Sequence, residues 1–135
     1  MTKKKKAVAK VRKPKTGRAL RYNEGKAPVW YILHYPRAVE VLSRILEVGE
    51  VKYAKMNWKL GGNADEDYLG ACMRHLFKFV NNPDPFDEEY GTNHLGHAIW
   101  NLMTLMELNG HPIMDSVKFN KAIRKLKRLK EKKKQ

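Results

Sequence analysis

The chain has 135 residues, 42% of them hydrophobic, and a formal net charge of +14. That length carries one domain with its own core, while no apolar run approaches the ~20 residues of a membrane span and none follows the basic N-terminus as a secretory signal requires. Cys72 is the only cysteine, which excludes an internal disulfide and any zinc site built on several thiolates, and fits a reducing cytoplasm.

The charge is uneven. Residues 1–18 hold nine Lys/Arg and no acid, and residues 118–135 hold ten and one Glu. Between them, residues 19–117 carry nine Lys/Arg against thirteen Asp/Glu. A mildly acidic body therefore lies between two strongly basic ends, and what the body does is separate from what the ends touch.

Residues 1–20, with four consecutive lysines, have too few apolar groups to fold alone. They read as a disordered basic arm, either a solubilising tail or a weak nucleic-acid contact. Asn23-Glu-Gly-Lys26 is turn chemistry, and the aromatic run through Trp30 and Tyr31 is expected to be extended or irregular. Those two rings are core or rim residues, or a surface on which a base stacks.

Pro36 suits the first position of a helix, expected to run to about Lys55 with Val39, Leu42, Ile45 and Leu46 as its apolar stripe. Glu40, Glu47 and Glu50 share the other side, as a solvated face or as ligands of a divalent metal. Lys52, Tyr53, Asn57 and Trp58 follow at the helix end, where a cation, two rings and an amide can hold a phosphate and a base. Their plainer reading is a surface charge and two packing aromatics.

A second helix starts near Asp65 and stops at Asn81-Asn82-Pro83, with Tyr68, Leu69, Cys72, Met73, Leu76, Phe77 and Val80 on a wide apolar face. Arg74 lies on the opposite stripe with His75 beside it. The loop from Asp84 to Tyr90 is rich in carboxylates and is either a solvated loop or one that aims Asp87 or Glu89 at a metal. A third helix, His94 to Leu108, is capped by Thr92 or Asn93 and stopped by Asn109-Gly110. It is apolar nearly all round and so expected to be buried, with His94, His97, Asn101 and Thr104 on one side facing partners, a cavity or a ligand. After Pro112, Asp115 or Ser116 caps a basic helix with a narrow stripe of Phe119, Ile123, Leu126 and Leu129. The fold class is all-α: a four-helix arrangement without strand alternation.

Several chemistries are absent. There is no Gly-rich phosphate loop ending in Gly-Lys-Ser/Thr and no His-Glu-x-x-His zinc helix. None of the five histidines precedes Asp, and Ser43 and Ser116, the only serines, sit at no nucleophile elbow. Carboxylates, imidazoles, Lys and Arg on inward-capable stripes remain, a set suited to metal-assisted phosphoanhydride hydrolysis.

Five pieces carry a family likeness: Asn23-Glu-Gly-Lys26; Gly49-Glu-Val-Lys52-Tyr53 with Asn57-Trp58; Arg74-His75-Leu76; Asp87-Glu-Glu89-Tyr-Gly91; and His94-Leu-Gly-His97-Ala with Asn101. In this order they resemble the phage dATP/dGTP diphosphohydrolases (MazZ-type) of the all-α MazG-like pyrophosphohydrolases, over roughly residues 21–109. The resemblance implies a helical core assembled as a dimer or tetramer in the cytoplasm, that of the host for a phage protein. It also implies Mg²⁺ or Mn²⁺, and hydrolysis of a purine deoxynucleoside triphosphate to the monophosphate and pyrophosphate. The expected domains are the arm over 1–20, the hydrolase over 21–112 and the basic helix over 113–135.

On this resemblance catalysis is expected at Glu47, Glu50, His94 and His97, and metal at Glu47, Glu50, Asp87 and Glu89, with the two histidines next. Lys26, Lys52 and Arg74 would hold phosphates, with His75 beside the substrate. Trp30, Tyr53 or Trp58 would contact the base, and Asn57 or Asn101 would read its edge or the sugar. The wider MazG pattern has Glu-x-x-Glu on one helix and Glu-x-x-Asp on a later one. Glu47 and Glu50 match the first; His94 and His97 stand where the second has acids. The competing reading is a small basic nucleic-acid-binding protein of helical fold, supported by the ends but opposed by the acidic body.

Overall fold

A computed structural model describes residues 25–134. The basic arm and the Asn23-Glu24 half of the first motif lie outside them. The chain divides between Tyr31 and Ile32 into two units. The Tyr31 amide donates to the Pro28 carbonyl at 3.0 Å, and a 3₁₀ turn over Val29–His34 runs across that division. A turn thus replaces the expected extended run, because Pro28 presets φ for a tight bend and its carbonyl finds an amide three residues on.

The second unit carries α1 (Pro36–Lys52), α2 (Asp65–Asn81), α3 (His94–Leu108) and α4 (Ser116–Lys132). Among the described residues the only strand-like pairing is one bridge between Phe86 and Asn93, so the fold is all-α. α1 starts at Pro36 but stops three residues short of the expected Lys55. The Tyr53 amide closes back on Gly49, and Met56 then turns left-handed with φ 56°, which no helix of L-residues continues through. A 3₁₀ turn over Asn57–Leu60 follows.

α2 places Asp65, Glu66 and Asp67 in its first turn, and Asp67 Oδ2 accepts from the Ala64 amide at 3.0 Å. Asn93 caps α3 by accepting from the Leu95 amide, and Asp115 caps α4 by accepting from Val117 and Lys118. The start of α2 is tied to the end of α3: Asn109 Nδ2 donates to Asp65 Oδ1 at 2.5 Å, and His111 Nε2 lies 2.9 Å from Asp65 Oδ2.

α3 packs against both α2 and α1. Its crossing with α1 turns on Gly96, where an added Cβ would lie 2.1 Å from Val41 Cγ1 and 2.9 Å from Ile45 Cδ1. Val41 is β-branched and stiff, so it cannot swing aside. Gly96→Ala is expected to destabilise the protein by about 1–3 kcal/mol despite alanine's better helix propensity, read as a lower thermal midpoint. An unchanged or raised midpoint would contradict this crossing.

The helix expected to be buried all round is buried on one side. His94, Gly96, Ala98, Asn101, Thr104 and Leu105 are buried, while Ile99, Leu102, Met103 and Met106 are exposed in the single chain. α1 and α2 cover the polar stripe and leave the apolar one open. The apolar face of α2 behaves alike: Tyr68 and Cys72 are buried, while Phe77 is 70% and Val80 76% exposed. α4 buries no side chain, and only Ile123 of its apolar stripe is half-covered.

Candidate active site

Between α2 and α3 the chain forms a loop built to present one carboxylate. The Asp87 amide donates to Thr92 O at 2.8 Å, the Gly91 amide to Asp87 O at 2.9 Å, and the His94 amide to Pro85 O at 2.9 Å. Inside this loop Asp87 Oδ1 accepts from the amides of Glu89 (3.1 Å) and Tyr90 (3.0 Å). Gly91 takes the left-handed φ of 66° that lets the chain turn back. Lys78 on α2 holds the loop from outside through Glu88 at 3.0 Å.

Beneath the loop three imidazoles meet. His94, at the first turn of α3, is 0% exposed, and its Nδ1 lies 2.9 Å from Nδ1 of His75 on α2. His97, one turn on, stacks face to face with His75, with centroids 4.4 Å apart and planes 8° apart, and its Nε2 meets the Thr92 hydroxyl at 2.6 Å. His94 Nε2 is buried without a hydrogen-bond partner. Burial first, then the neighbouring His97 and His94, pushes His75 down to about 4, and burial likewise holds His97 below the ordinary histidine value against the pull of Asp87. Burial alone would raise the Asp87 carboxyl, but the Tyr90 and Glu89 amides and the two imidazoles bring it below the usual value. At neutral pH the cluster thus holds one carboxylate and, at His75 and His97, neutral rings. His75, Asp87 and His94 each bring a ligand atom within 4.8 Å of the others, a group able to hold a metal ion.

The cluster opens on a cavity of about 590 Å³. Glu50, Lys52, Tyr53, Asn57, Trp58, His75, Asp87, Glu89, His97 and Asn101 all line it. Lys52 Nζ donates to the Tyr90 hydroxyl at 2.6 Å, and that hydroxyl donates to Glu89 Oε1. The Tyr90 contact first, and Glu89 at 3.6 Å behind it, hold the Lys52 ammonium charged above the usual lysine range. Asn101 is buried, with Nδ2 bonded to His97 O at 2.8 Å, and Lys59 lies over the Trp58 ring at 5.6 Å.

Other expected site residues fall elsewhere. Glu47 pairs with Arg44 at 2.9 Å on the exposed side of α1 and is not part of the cavity wall. Arg74 lines a shallow apolar groove with Met73, Phe77 and Val80. His94 lies beneath the cavity rather than on its wall. Lys26 and Trp30 belong to the short N-terminal unit, both exposed, with Trp30 packed on Tyr31 at 4.2 Å. Tyr90, Trp100 and Thr92 are not among the expected site residues, yet the first two line the cavity and the third fixes His97. Helical spacing signals Trp100, which follows His97 by three residues; Tyr90 and Thr92 depend on the path of a loop.

A cavity lined by acids, imidazoles, an ammonium, aromatic rings and amides has the size and chemistry of a small-molecule phosphate-ester site. The chain belongs to the dATP/dGTP diphosphohydrolase family, whose N-terminal region matches residues 16–116. It is similar to a dATP/dGTP diphosphohydrolase of Salmonella phage PMBT28, 34% identical over 105 residues. That match covers 77% of this chain and 34% of the relative, so the chain spans about a third of the relative's length. No solved structure matches it. Among the described residues no helix is long and apolar enough to cross a membrane.

Proposed function

We propose that the cavity binds a purine deoxynucleoside triphosphate, dGTP or dATP, and hydrolyses it to the monophosphate and pyrophosphate, in phage nucleotide metabolism. The observation that carries this reading is the single cavity that Glu50, Lys52, Asp87, Glu89, Asn57 and Trp58 all line. Lys52 takes the phosphates: its ammonium is held charged and already sits beside oxygen partners that a phosphate can replace. Trp58 and Tyr53 offer faces to the purine, and Asn57 and Asn101 offer amides to its edge or to the sugar.

The family implies Mg²⁺ or Mn²⁺, which when bound neutralises phosphate charge and acidifies water. Glu50, Asp87 and Glu89 are the carboxylates of the wall and would hold it together with phosphate oxygens. Glu50 orients the attacking water and takes its proton. The water oxygen bonds to the α-phosphorus as the bond to the α,β-bridging oxygen breaks, and pyrophosphate leaves. His97, which lines the cavity and whose Nε2 meets Thr92, assists by hydrogen bonding in this reading. The test is pyrophosphate release from each of the four dNTPs by the full chain with Mg²⁺ or Mn²⁺. Turnover of dGTP or dATP above the pyrimidines supports the reading, and no turnover of any dNTP removes it.

The partner we propose is a second copy of the chain. The single chain leaves Leu69, Met73, Phe77 and Val80 of α2 and Met103 and Met106 of α3 exposed, apolar side chains of the kind that mark a protein–protein contact. Light scattering is expected to give a multiple of the 15.7 kDa chain mass, and a monomer at micromolar concentration would contradict this. The basic ends favour one further contact, with nucleic acid. DNA affinity of the full chain should then fall steeply with salt, and a flat salt response would remove that role.

A further inference from the structure

The family implies a hard cation on oxygen ligands, whereas the deepest ligand cluster of the cavity is mostly nitrogen. We propose that His75, Asp87 and His94 form a mixed nitrogen–oxygen site that takes one first-row transition-metal dication in preference to Mg²⁺. The use of that ion in catalysis rests on the hydrolase reading; its binding does not.

The geometry approaches a coordination sphere, most closely at its two nitrogens. The three ligand atoms lie within 4.8 Å of one another, and the two Nδ1 atoms stand 2.9 Å apart. Ligands on adjacent corners of an octahedron with metal bonds of about 2.1 Å are separated by about 3 Å. Both loop amides bond Asp87 Oδ1, so Oδ2 is the oxygen available to a cation. His94 is 0% exposed and has two ring nitrogens but one partner, since Nε2 meets nothing. The nitrogen turned toward His75 is Nδ1, which is the atom that would ligate; Nε2 diverges from it across the ring and takes no part in this sphere. His97 and Thr92 act as positioning residues, stacking on His75 and fixing the plane of its ring.

The donor set decides which ion. Mg²⁺ takes oxygen ligands and keeps several waters, whereas imidazole favours Co²⁺, Ni²⁺ and Zn²⁺, with Mn²⁺ the weakest of the first row. Two imidazoles and a carboxylate therefore rank these ions above Mg²⁺. Glu50 and Glu89, also lining the cavity, would share Asp87 with this site to hold a cation that arrives with the triphosphate.

The test titrates metal-free, full-length protein with Co²⁺, read by its visible absorption, and repeats the titration against excess Mg²⁺. One Co²⁺ per chain is expected, with nitrogen-type absorption that Mg²⁺ at ~100-fold excess leaves in place. His75→Gln and Asp87→Asn should each weaken Co²⁺ binding by about tenfold or more, while Glu50→Gln shifts it only a few-fold. His94 is fully buried and its loss can unfold the chain, so the half-buried His75 and Asp87 carry the test, with circular dichroism checking the fold. Displacement of Co²⁺ by Mg²⁺, absence of Co²⁺ binding, or unchanged affinity in both variants overturns the proposal. Co²⁺ binding as described without dNTP turnover leaves this site standing and removes the hydrolase; turnover with Mg²⁺ alone and no Co²⁺ binding does the reverse.

Discussion

Glu50→Gln is expected to lower kcat for dGTP and dATP by about 10²–10⁴-fold, while Glu47→Gln changes it a few-fold at most. The two carboxylates stand one turn apart on α1 and look equivalent in the sequence. Their surroundings differ. Glu50 lines the cavity that holds Lys52, Asp87 and Glu89. Glu47 faces water and is paired with Arg44, an exposed contact of the kind worth about 0–1 kcal/mol. Glutamine keeps the size of glutamate and removes its charge and its ability to take a proton, so a large loss at position 50 alone reports on chemistry. Steady-state kinetics with circular dichroism checks this; equal losses at the two positions would move the site toward the outer face of α1.

Asp87→Asn should lower kcat/KM by about 10²–10³-fold with little change in thermal midpoint. The side chain has two roles that this substitution separates. An asparagine oxygen can still accept from the Glu89 and Tyr90 amides, so the loop keeps its form. The negative charge facing His75 and His97 is lost, and with it the attraction for a cation. Asp87→Ala removes both and should lower the melting temperature as well. If asparagine is as active as aspartate, Asp87 serves the loop alone.

The helix boundaries were legible because short-range chemistry sets them. Pro36 starts α1, Asn93 and Asp115 cap α3 and α4, and the acids after Ala64 open α2. The end of α1 was not, since it depends on the left-handed turn at Met56, a residue with no preference for it. Burial was legible in period but not in sense. Spacing places His94, Asn101 and Thr104 on one side of α3, yet only packing decides that α1 and α2 cover that side and leave Ile99 and Met103 outside. The candidate site shows the same limit. Spacing joins His94 to His97, but His75 reaches them from 19 residues away across a helix packing, and Asp87 reaches them through a loop that backbone hydrogen bonds shape. Glu47 and Glu50 differ in surroundings that no local pattern encodes.

The proposed chemistry has water attacking the α-phosphorus of a purine dNTP held in this cavity. Hydrolysis of dGTP in heavy-oxygen water, with products separated and weighed by mass spectrometry, tests it most directly. Attack at that atom predicts dGMP and pyrophosphate with the label in dGMP. Label in pyrophosphate, or orthophosphate or tripolyphosphate as the first product, would contradict it.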